Sequence, residues 1–151
     1  MKLPAPADPA YRQRVHESFA RQAVMTTLGA TLEVAEAGRI VITMPHKHEL
    51  TQQHGFLHAG VVATVLDSAC GYAAFSLMPV DAAVLTIEFK VNLLAPARGP
   101  WLRCEGLVTK AGRTISVVEG KAWQHDAGGP ETLCATMTAT MMTVLGRGIT
   151  H

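Results

Sequence analysis

Alternating apolar and polar residues fill most of the second half of the chain. Ala83 to Leu94, Trp101 to Lys110, Thr114 to His125 and Leu133 to Leu145 show this period of two, with glycine- or proline-containing turns between them. The pattern predicts four β-strands. Because short turns join antiparallel strands, we expect these four strands to form a meander.

One long segment before these strands has the composition of a helix. Leu57 to Met78 is rich in alanine, contains no proline and is followed by Pro79, which predicts a helix that ends there. The polar, glycine-containing segment from His46 to Phe56 is expected to be a loop that leads into this helix.

Shorter elements precede the loop. Tyr11 to Ala20 is predicted to be a short helix, and Met25 to Gly29 a turn. Ala30 to Glu36 and Arg39 to Pro45 are predicted to form a hairpin. One long helix against one curved antiparallel sheet places the chain in the α+β class.

The composition predicts one folded domain without a nucleic-acid partner. No linker or repeat divides the 151 residues, so we expect a single domain over 1–151, with an N-terminal arm and short helix over 1–24. Hydrophobic residues make up 48% of the chain and charged residues 17%, which suggests that some surface is buried in an oligomer. The formal net charge of +1 lacks the basic excess of nucleic-acid-binding proteins.

The cysteines and the N-terminus bear on the compartment. Cys70, Cys104 and Cys134 match no zinc or Cys-x-x-Cys spacing, so we expect buried thiols in a reducing, cytoplasmic environment. Met1 to Asp8 lacks the profile of a signal peptide. No uncharged apolar run reaches about 18 residues, so no membrane span is expected.

Asp67 is the most informative residue, because it lies in the apolar part of the predicted helix. Burying an ionised carboxylate is costly unless it is paired, hydrogen-bonded or functional. An ordinary explanation is partial exposure, or a hydrogen bond with Thr64 or Ser68. A functional carboxylate is the other explanation, and the residues alone leave both open.

The surroundings of Asp67 add a possible site. Gly60 and Gly71 fall on its side of the helix and would let a ligand or another backbone approach closely. The segment 57–60 begins the helix, where free N–H groups can stabilise a developing oxyanion. Gln52 lies just upstream and could hold a carbonyl oxygen or a water.

These residues together resemble the signature of hotdog-fold thioesterases of the phenylacetate-degradation (PaaI-like) group. Gln52 stands six residues before His58, Gly55 three before it, and Asp67 nine after it, as in that signature. The run 86–96, Gly99 and the pair 112–113 also resemble the family. The resemblance extends from residue 31 to residue 143.

The resemblance implies a hotdog fold, in which a long central helix is wrapped by a curved antiparallel sheet. It also implies hydrolysis of acyl-CoA thioesters with aryl or short- to medium-chain acyl groups, without a cofactor other than the substrate's own coenzyme A. Such enzymes are homodimers, often paired into homotetramers. Their sites would combine Gln52 and Ala59 of one subunit with Asp67 and Thr86 of the other.

The resemblance also implies a role for each catalytic residue. Asp67 would act as nucleophile or general base, and the Ala59 N–H would form the oxyanion hole. Gln52 would position the water or the carbonyl, and Thr86 would orient the water. His58 would shape the turn or donate a hydrogen bond near the thioester, unless it is a helix-start histidine without chemistry.

A second set of residues would contact coenzyme A. Lys90, Lys110 and Arg113 would lie near its phosphates, although each could be an ordinary solvated charge. Gly60 and Gly112 would let the backbone approach the ligand.

The chain departs from the family pattern at one position. The family has Gly-Gly after the histidine, and here Ala59 precedes Gly60. The additional methyl group leaves the backbone N–H in place but leaves the size of the acyl group open. The residues that could line the pocket are Phe56, Tyr72, Phe75 and Met78.

Two other functions are compatible with the same residues. A hotdog hydratase or dehydratase would use a histidine with the carboxylate, and an acyl-CoA-binding module would bind without turnover. The loop histidines do not predict a metal site, because they lack a His-Glu-x-x-His pattern. These histidines are His46, His48, His54 and His58.

Overall fold

The computed structural model describes residues 3–125 and 128–149 and contains one antiparallel sheet of six strands. The strands are β1 (Thr31–Glu36), β2 (Arg39–Pro45), β3 (Ala83–Leu93), β4 (Trp101–Lys110), β5 (Ile115–His125) and β6 (Glu131–Val144). Their order across the sheet is β1-β2-β4-β5-β6-β3. The predicted hairpin of β1 and β2 is confirmed.

In the described residues, three α-helices and a short 3-10 helix (His48–Leu50) accompany the sheet. They are α1 (Tyr11–Arg21), α2 (Ala23–Leu28) and α3 (Ala59–Phe75). In the part of the chain that the structure describes, no helix is long and apolar enough to cross a membrane. One long helix packed on one antiparallel sheet confirms the predicted α+β class.

Helix α2 occupies the segment that was predicted to be a turn, so that prediction was wrong. It is only six residues long, too short to show a helical period in the sequence. Met25 and Leu28 are buried and fix it against the core. Gly29, in the left-handed conformation with φ of 69°, ends it.

Helix α3 is shorter at both ends than predicted. His58 has an extended backbone and is the N-cap, so the helix begins at Ala59. At the other end the Ser76 hydroxyl donates to the Ala73 carbonyl at 2.7 Å and accepts from the Gly38 N–H at 2.8 Å. This serine therefore ties the end of the helix to the β1–β2 turn.

Two glycines let α3 lie directly on the sheet. Gly106 of β4 and Gly120 of β5 are paired across the two strands. A Cβ atom at Gly106 would lie 2.4 Å from the Ala69 carbonyl oxygen, and one at Gly120 would lie 3.0 Å from Cys70 Sγ. A methyl group at Gly106 would overlap the backbone of α3, and one at Gly120 would press on Cys70, so this contact fixes the height of the helix above the sheet.

The predicted four-stranded meander was wrong in one connection. Strands β4, β5 and β6 are consecutive neighbours, but β3 pairs with β6 and lies at the edge. The pairing with β6 continues just past the end of β3, where the Leu94 N–H donates to the Cys134 carbonyl at 2.8 Å. Leu85, Ile87 and Phe89 of β3 are between 44% and 52% exposed, which is unusual for apolar strand residues.

Arg14 fastens the N-terminal helices to the C-terminal end of α3. Its guanidinium group donates to the carbonyls of Phe75, Met78 and Pro79 at 3.2, 2.9 and 2.6 Å. It also forms a 3.0 Å ion pair with buried Asp8 and lies 4.2 Å from the centre of the Phe75 ring. The last carbonyls of a helix need such donors, so this arginine gives α1 a fixed position.

We expect Gly106→Ala to lower the free energy of unfolding by about 2 kcal/mol, because the new methyl group overlaps the backbone of α3. The measurement is urea denaturation. Gly71→Ala is the control, since a Cβ atom there meets no atom within 4 Å. A Gly106→Ala protein as stable as the wild type would contradict the close contact between helix and sheet.

Candidate active site

Asp67 lies in the middle of α3 and is half-buried. The Thr86 hydroxyl of β3 donates to Asp67 Oδ1 at 2.8 Å. A bulge in the β3–β6 pairing between Thr86 and Glu88 accompanies this contact, and bulges commonly re-aim a neighbouring side chain. The strand edge thus presents a hydroxyl group to the carboxylate.

The hydrogen bonds to Thr64 or Ser68 that would have been one ordinary explanation for Asp67 are not formed. The Thr64 hydroxyl donates to the Gly60 carbonyl at 2.7 Å, and the Ser68 hydroxyl donates to Gln22 Oε1 at 3.3 Å. Burial raises the pKa of Asp67, and the hydrogen bond from Thr86 opposes that rise. The carboxylate is therefore more basic than an exposed aspartate.

The start of α3 leaves one N–H group without a partner. The Gly60 N–H donates to His58 Nδ1 at 2.9 Å, while the N–H groups of Val61 and Val62 donate to the His58 carbonyl at 2.9 and 3.2 Å. Of these first N–H groups, only that of Ala59 has no acceptor among residues 3–125 and 128–149. It is exposed at the positive end of the helix dipole.

The capping bond also determines the tautomer of the neutral His58 ring. An N–H group can only donate, so Nδ1 must be the acceptor and the ring proton of the neutral form lies on Nε2. His58 thus has a structural function as the N-cap.

Gln52 supplies a second donor near Ala59. Its Oε1 atom accepts a short hydrogen bond from the His54 N–H, so its amide NH₂ group points the other way. That group has no acceptor in the described part of the chain. Gln52 and Ala59 both line a cavity of about 360 Å³. The remaining residues around this first cavity are mostly apolar: Phe56, Leu57, Val62, Leu93, Leu94, Ala95, Pro96, Ala97 and Cys134.

The carboxylate faces a different cavity. This second cavity has a volume of about 210 Å³ and contains Asp67 and Thr86. Asp67 follows Ala59 by eight residues, which is about 12 Å along the helix axis. Within one chain, the predicted catalytic residues thus form two separate pairs. The second cavity is completed by Gln22, Ser68, Gly71, Tyr72, Val84 and Leu85.

The residues predicted to contact coenzyme A lie elsewhere. Gly112 and Arg113 line a third cavity of about 260 Å³ at the C-terminal end of α3. A Cβ atom at Gly112 would lie 2.2 Å from the Ile115 carbonyl oxygen, so the turn itself requires this glycine. Lys90 and Lys110 are exposed on β3 and β4.

Two of the predicted pocket residues lie away from both pairs. Met78 lines the third cavity, and Phe75 is fully buried beneath Arg14. Tyr72 lines the second cavity and Phe56 the first.

The sequence did not single out Gln22 or Arg98. Gln22 lies between α1 and α2, where no turn or motif marks it as a site residue. Arg98 has its guanidinium carbon 5.3 Å from the centre of the Phe56 ring, at the first cavity. Within the described residues, no group of three or more His, Cys, Asp or Glu side chains could hold a metal ion.

Comparison with known proteins identifies the family. The profile of the thioesterase superfamily matches residues 54–130, about half of the chain, including the start of α3 and Asp67. The chain belongs to the thioesterase superfamily. This membership confirms the resemblance to thioesterases, and the hotdog fold with it.

Related proteins agree with this membership. A thioesterase-superfamily structure from Silicibacter pomeroyi is 56% identical, with a TM-score of 0.88, covering 90% of this chain and 99% of that one. A provisionally named esterase of Halobacterium salinarum is 36% identical over 64% of this chain. The alignment spans 66% of that relative's length and 59% of a similarly named Saccharolobus solfataricus protein.

The PaaI protein of Escherichia coli shares the fold of this thioesterase-superfamily member. Its TM-score is 0.82 with 18% identity, over 93% of this chain and 97% of that one. An identity this low shows the fold alone, so the PaaI-like subgroup stays a prediction.

In this thioesterase-superfamily member, we expect Asp67→Asn to raise the free energy of unfolding at neutral pH. Burial raises the folded-state pKa of Asp67, so the ionised form destabilises the fold. The gain should shrink as the pH falls through that pKa, because the wild-type side chain is then neutral as well. Urea denaturation from acidic to neutral pH measures this, with exposed Asp81→Asn as the control. A gain that persists in acid would contradict this explanation.

Proposed function

We propose that the protein hydrolyses acyl-CoA thioesters to a free acid and coenzyme A. The observation that carries this proposal is the half-buried Asp67 carboxylate, which accepts a hydrogen bond from Thr86 and faces a cavity. Membership of the thioesterase superfamily supports the same reaction. The acyl group is aryl or of short to medium chain length, and PaaI-like phenylacetate degradation in the cytoplasm is the proposed setting.

In the proposed mechanism Asp67 acts as a general base. The Thr86 hydroxyl donates its hydrogen bond to Asp67 Oδ1, so the hydroxyl oxygen can accept a hydrogen bond from a water molecule. That water would lie beside the carboxylate, which removes its proton as it attacks the thioester carbonyl. Direct attack by Asp67 on the carbonyl carbon is the alternative use of the same group.

The two free donors at the start of α3 would stabilise the oxyanion. The Ala59 N–H and the Gln52 amide line one cavity, and both lack acceptors in the described residues. A donor held ready at a developing oxyanion contributes about a 100-fold rate increase or more. The thiolate of coenzyme A leaves readily, so a carboxylate with such donors suffices for thioester hydrolysis.

Joining the two pairs of residues requires a second subunit. Strand β3 is an edge strand with exposed apolar side chains, and such edges bind another strand. Antiparallel pairing of two β3 strands about Glu88 would place residues 84–86 of one subunit beside residues 90–92 of the other. The second cavity of one subunit would then adjoin the first cavity of its partner. The homotetramer that the resemblance implies would contain two such dimers.

The coenzyme A part would extend over the exposed cations. Lys90 lies on β3 near the proposed two-fold axis, and Lys110 and Arg113 lie at the β4–β5 turn. Each could pair with a phosphate group. Gly112 adjoins Arg113 in that turn, and Gly60 provides backbone without a side chain at the start of α3.

The hydratase alternative needs a histidine that exchanges a proton with the substrate. At His58 only Nε2 is left for this, because Nδ1 accepts from the Gly60 N–H. The binding-module alternative predicts that the wild type binds acyl-CoA without hydrolysing it. It also predicts that Asp67→Asn binds acyl-CoA with unchanged affinity.

We expect wild-type protein to release coenzyme A from at least one substrate of a panel that contains phenylacetyl-CoA, benzoyl-CoA and straight-chain acyl-CoAs from butanoyl to dodecanoyl. Asp67→Asn should lower kcat by about 100-fold or more, because the general base is lost, while coenzyme A still binds. A thiol-reactive dye measures release, and Asp81→Asn is the control. No hydrolysis of any substrate, or equal hydrolysis by Asp67→Asn, would refute the proposal.

A mixing experiment tests the shared site. Gln52→Ala and Asp67→Asn proteins, each with little activity, are unfolded, mixed and refolded together. About half of the dimers that form at random are hybrids, and each hybrid has one intact site of two. About a quarter of the wild-type activity should therefore return. The control is each variant refolded alone. No recovery in hybrids that have been isolated and shown to be dimers would place both pairs of residues in one subunit's site.

A further inference from the structure

We propose that the second cavity receives the acyl group of the substrate, and that Gly71 and Gln22 determine which acyl groups it accepts. The inference rests on the proposed thioesterase activity and assigns the acyl class to one cavity. It selects a short acyl group with a hydrogen-bond acceptor at the end farthest from the thioester.

Gly71 is the first observation. Glycine destabilises a helix interior relative to alanine, so a helical glycine usually has a packing reason. Gly106 and Gly120 have such a reason in the contact with α3, but a Cβ atom at Gly71 would meet no atom within 4 Å. Gly71 is nevertheless buried from solvent. The missing side chain therefore leaves space inside the protein, one helical turn after Asp67.

The size of the cavity limits the acyl group. Its volume of about 210 Å³ is several times the roughly 30 Å³ that one water molecule occupies in the liquid. Tyr72, Val84 and Leu85 contribute apolar surface to its wall. A short acyl group therefore fits beside Asp67.

Gln22 is the second observation. It lies at the junction of α1 and α2 with an extended backbone, and its side chain does not cap α2. Instead its Oε1 atom accepts from the Ser68 hydroxyl at 3.3 Å, and Gln22 lines the cavity. Its NH₂ group has no acceptor in the described part of the chain. That NH₂ group is open to solvent at the cavity, and an oxygen on the acyl group would replace water as its acceptor.

The cavity wall that carries Gln22 is held in place. Arg14 binds α1 to the end of α3, and the hydroxyl groups of Ser18 and Tyr72 lie 3.1 Å apart. The tilted rings of Phe19 and Tyr72 are 5.9 Å apart between centres. Because α1 is anchored at several points, Gln22 stays near Asp67 and can discriminate between substrates.

A side chain of the partner subunit is the competing occupant of this space. A partner side chain in the second cavity would exclude water and substrate from the space beside Asp67. This conflicts with the proposed function, in which the carboxylate must reach the thioester. The two occupants give different results when Gly71 is replaced, because only a partner contact would couple the new methyl group to subunit association.

The test compares kcat/KM for acetyl-CoA, hexanoyl-CoA and 6-hydroxyhexanoyl-CoA in the wild type, Gly71→Ala and Gln22→Met. The wild type should prefer the hydroxylated substrate over hexanoyl-CoA. Gln22→Met should lower that preference about tenfold, because one hydrogen bond is lost. Gln13→Met, at an exposed glutamine of α1, is the matched control and should keep the preference.

Gly71→Ala tests the size limit. It should lower kcat/KM for both six-carbon substrates about tenfold or more and for acetyl-CoA least, without lowering the thermal midpoint or the oligomeric mass. Equal losses for all three substrates, or dissociation of the oligomer, would assign the space to the partner and overturn the inference. So would an unchanged hydroxyl preference in Gln22→Met. If the wild type hydrolyses no acyl-CoA at all, the proposed function itself fails.

Discussion

The contact between α3 and the Gly106–Gly120 pair is the constraint on which the site depends. A helix that carries a carboxylate can lie this close to a sheet only where both facing strands have no side chain. The contact is formed by Ala69 and Cys70, the residues that follow Asp67 and Ser68. It therefore fixes the height and the rotation of the helix at the position where the carboxylate has to meet Thr86.

The same arrangement separates two electrostatic requirements along one helix. The N-terminus provides N–H groups, which favour negative charge, and His58 occupies one of them while Ala59 stays free. The middle of the helix holds Asp67 where burial makes the carboxylate more basic. If the carboxylate lay beside the N-terminus of α3, the N–H groups there would lower its pKa and it would lose its basicity.

Local patterns in the sequence predicted the long helix and the strands, and marked Asp67 as an unusual residue. The helix, the hairpin and the strands follow from periods that extend over ten residues or so, and Asp67 stands out because its neighbours are apolar. The offsets of Gln52 and Asp67 from His58 led to the correct family. The sequence could not predict that β3 pairs with β6. The two strands are distant in the chain, and the sequence is equally compatible with pairing β3 to another strand. Helix α2 was too short to show a period.

Other features depended on tertiary contacts and had no local signal. Gln22 is an ordinary polar residue until α1 is placed on α3 by Arg14. Gly71 looks like any small residue of a helix until the space beside it is measured. The apolar residues of β3 predicted a strand correctly, but their exposure follows from its position at the edge of the sheet, which one sequence does not reveal.

The position of β3 also sets an order of events during synthesis. Strand β3 is held in the sheet by β6, which the ribosome adds some forty residues later. Until then β3 is an apolar segment without a neighbour, and Thr86 has no fixed position opposite Asp67. The part of the sheet that supports the carboxylate is thus completed last, so the nascent chain exposes an association-prone strand while its candidate active site is still unformed.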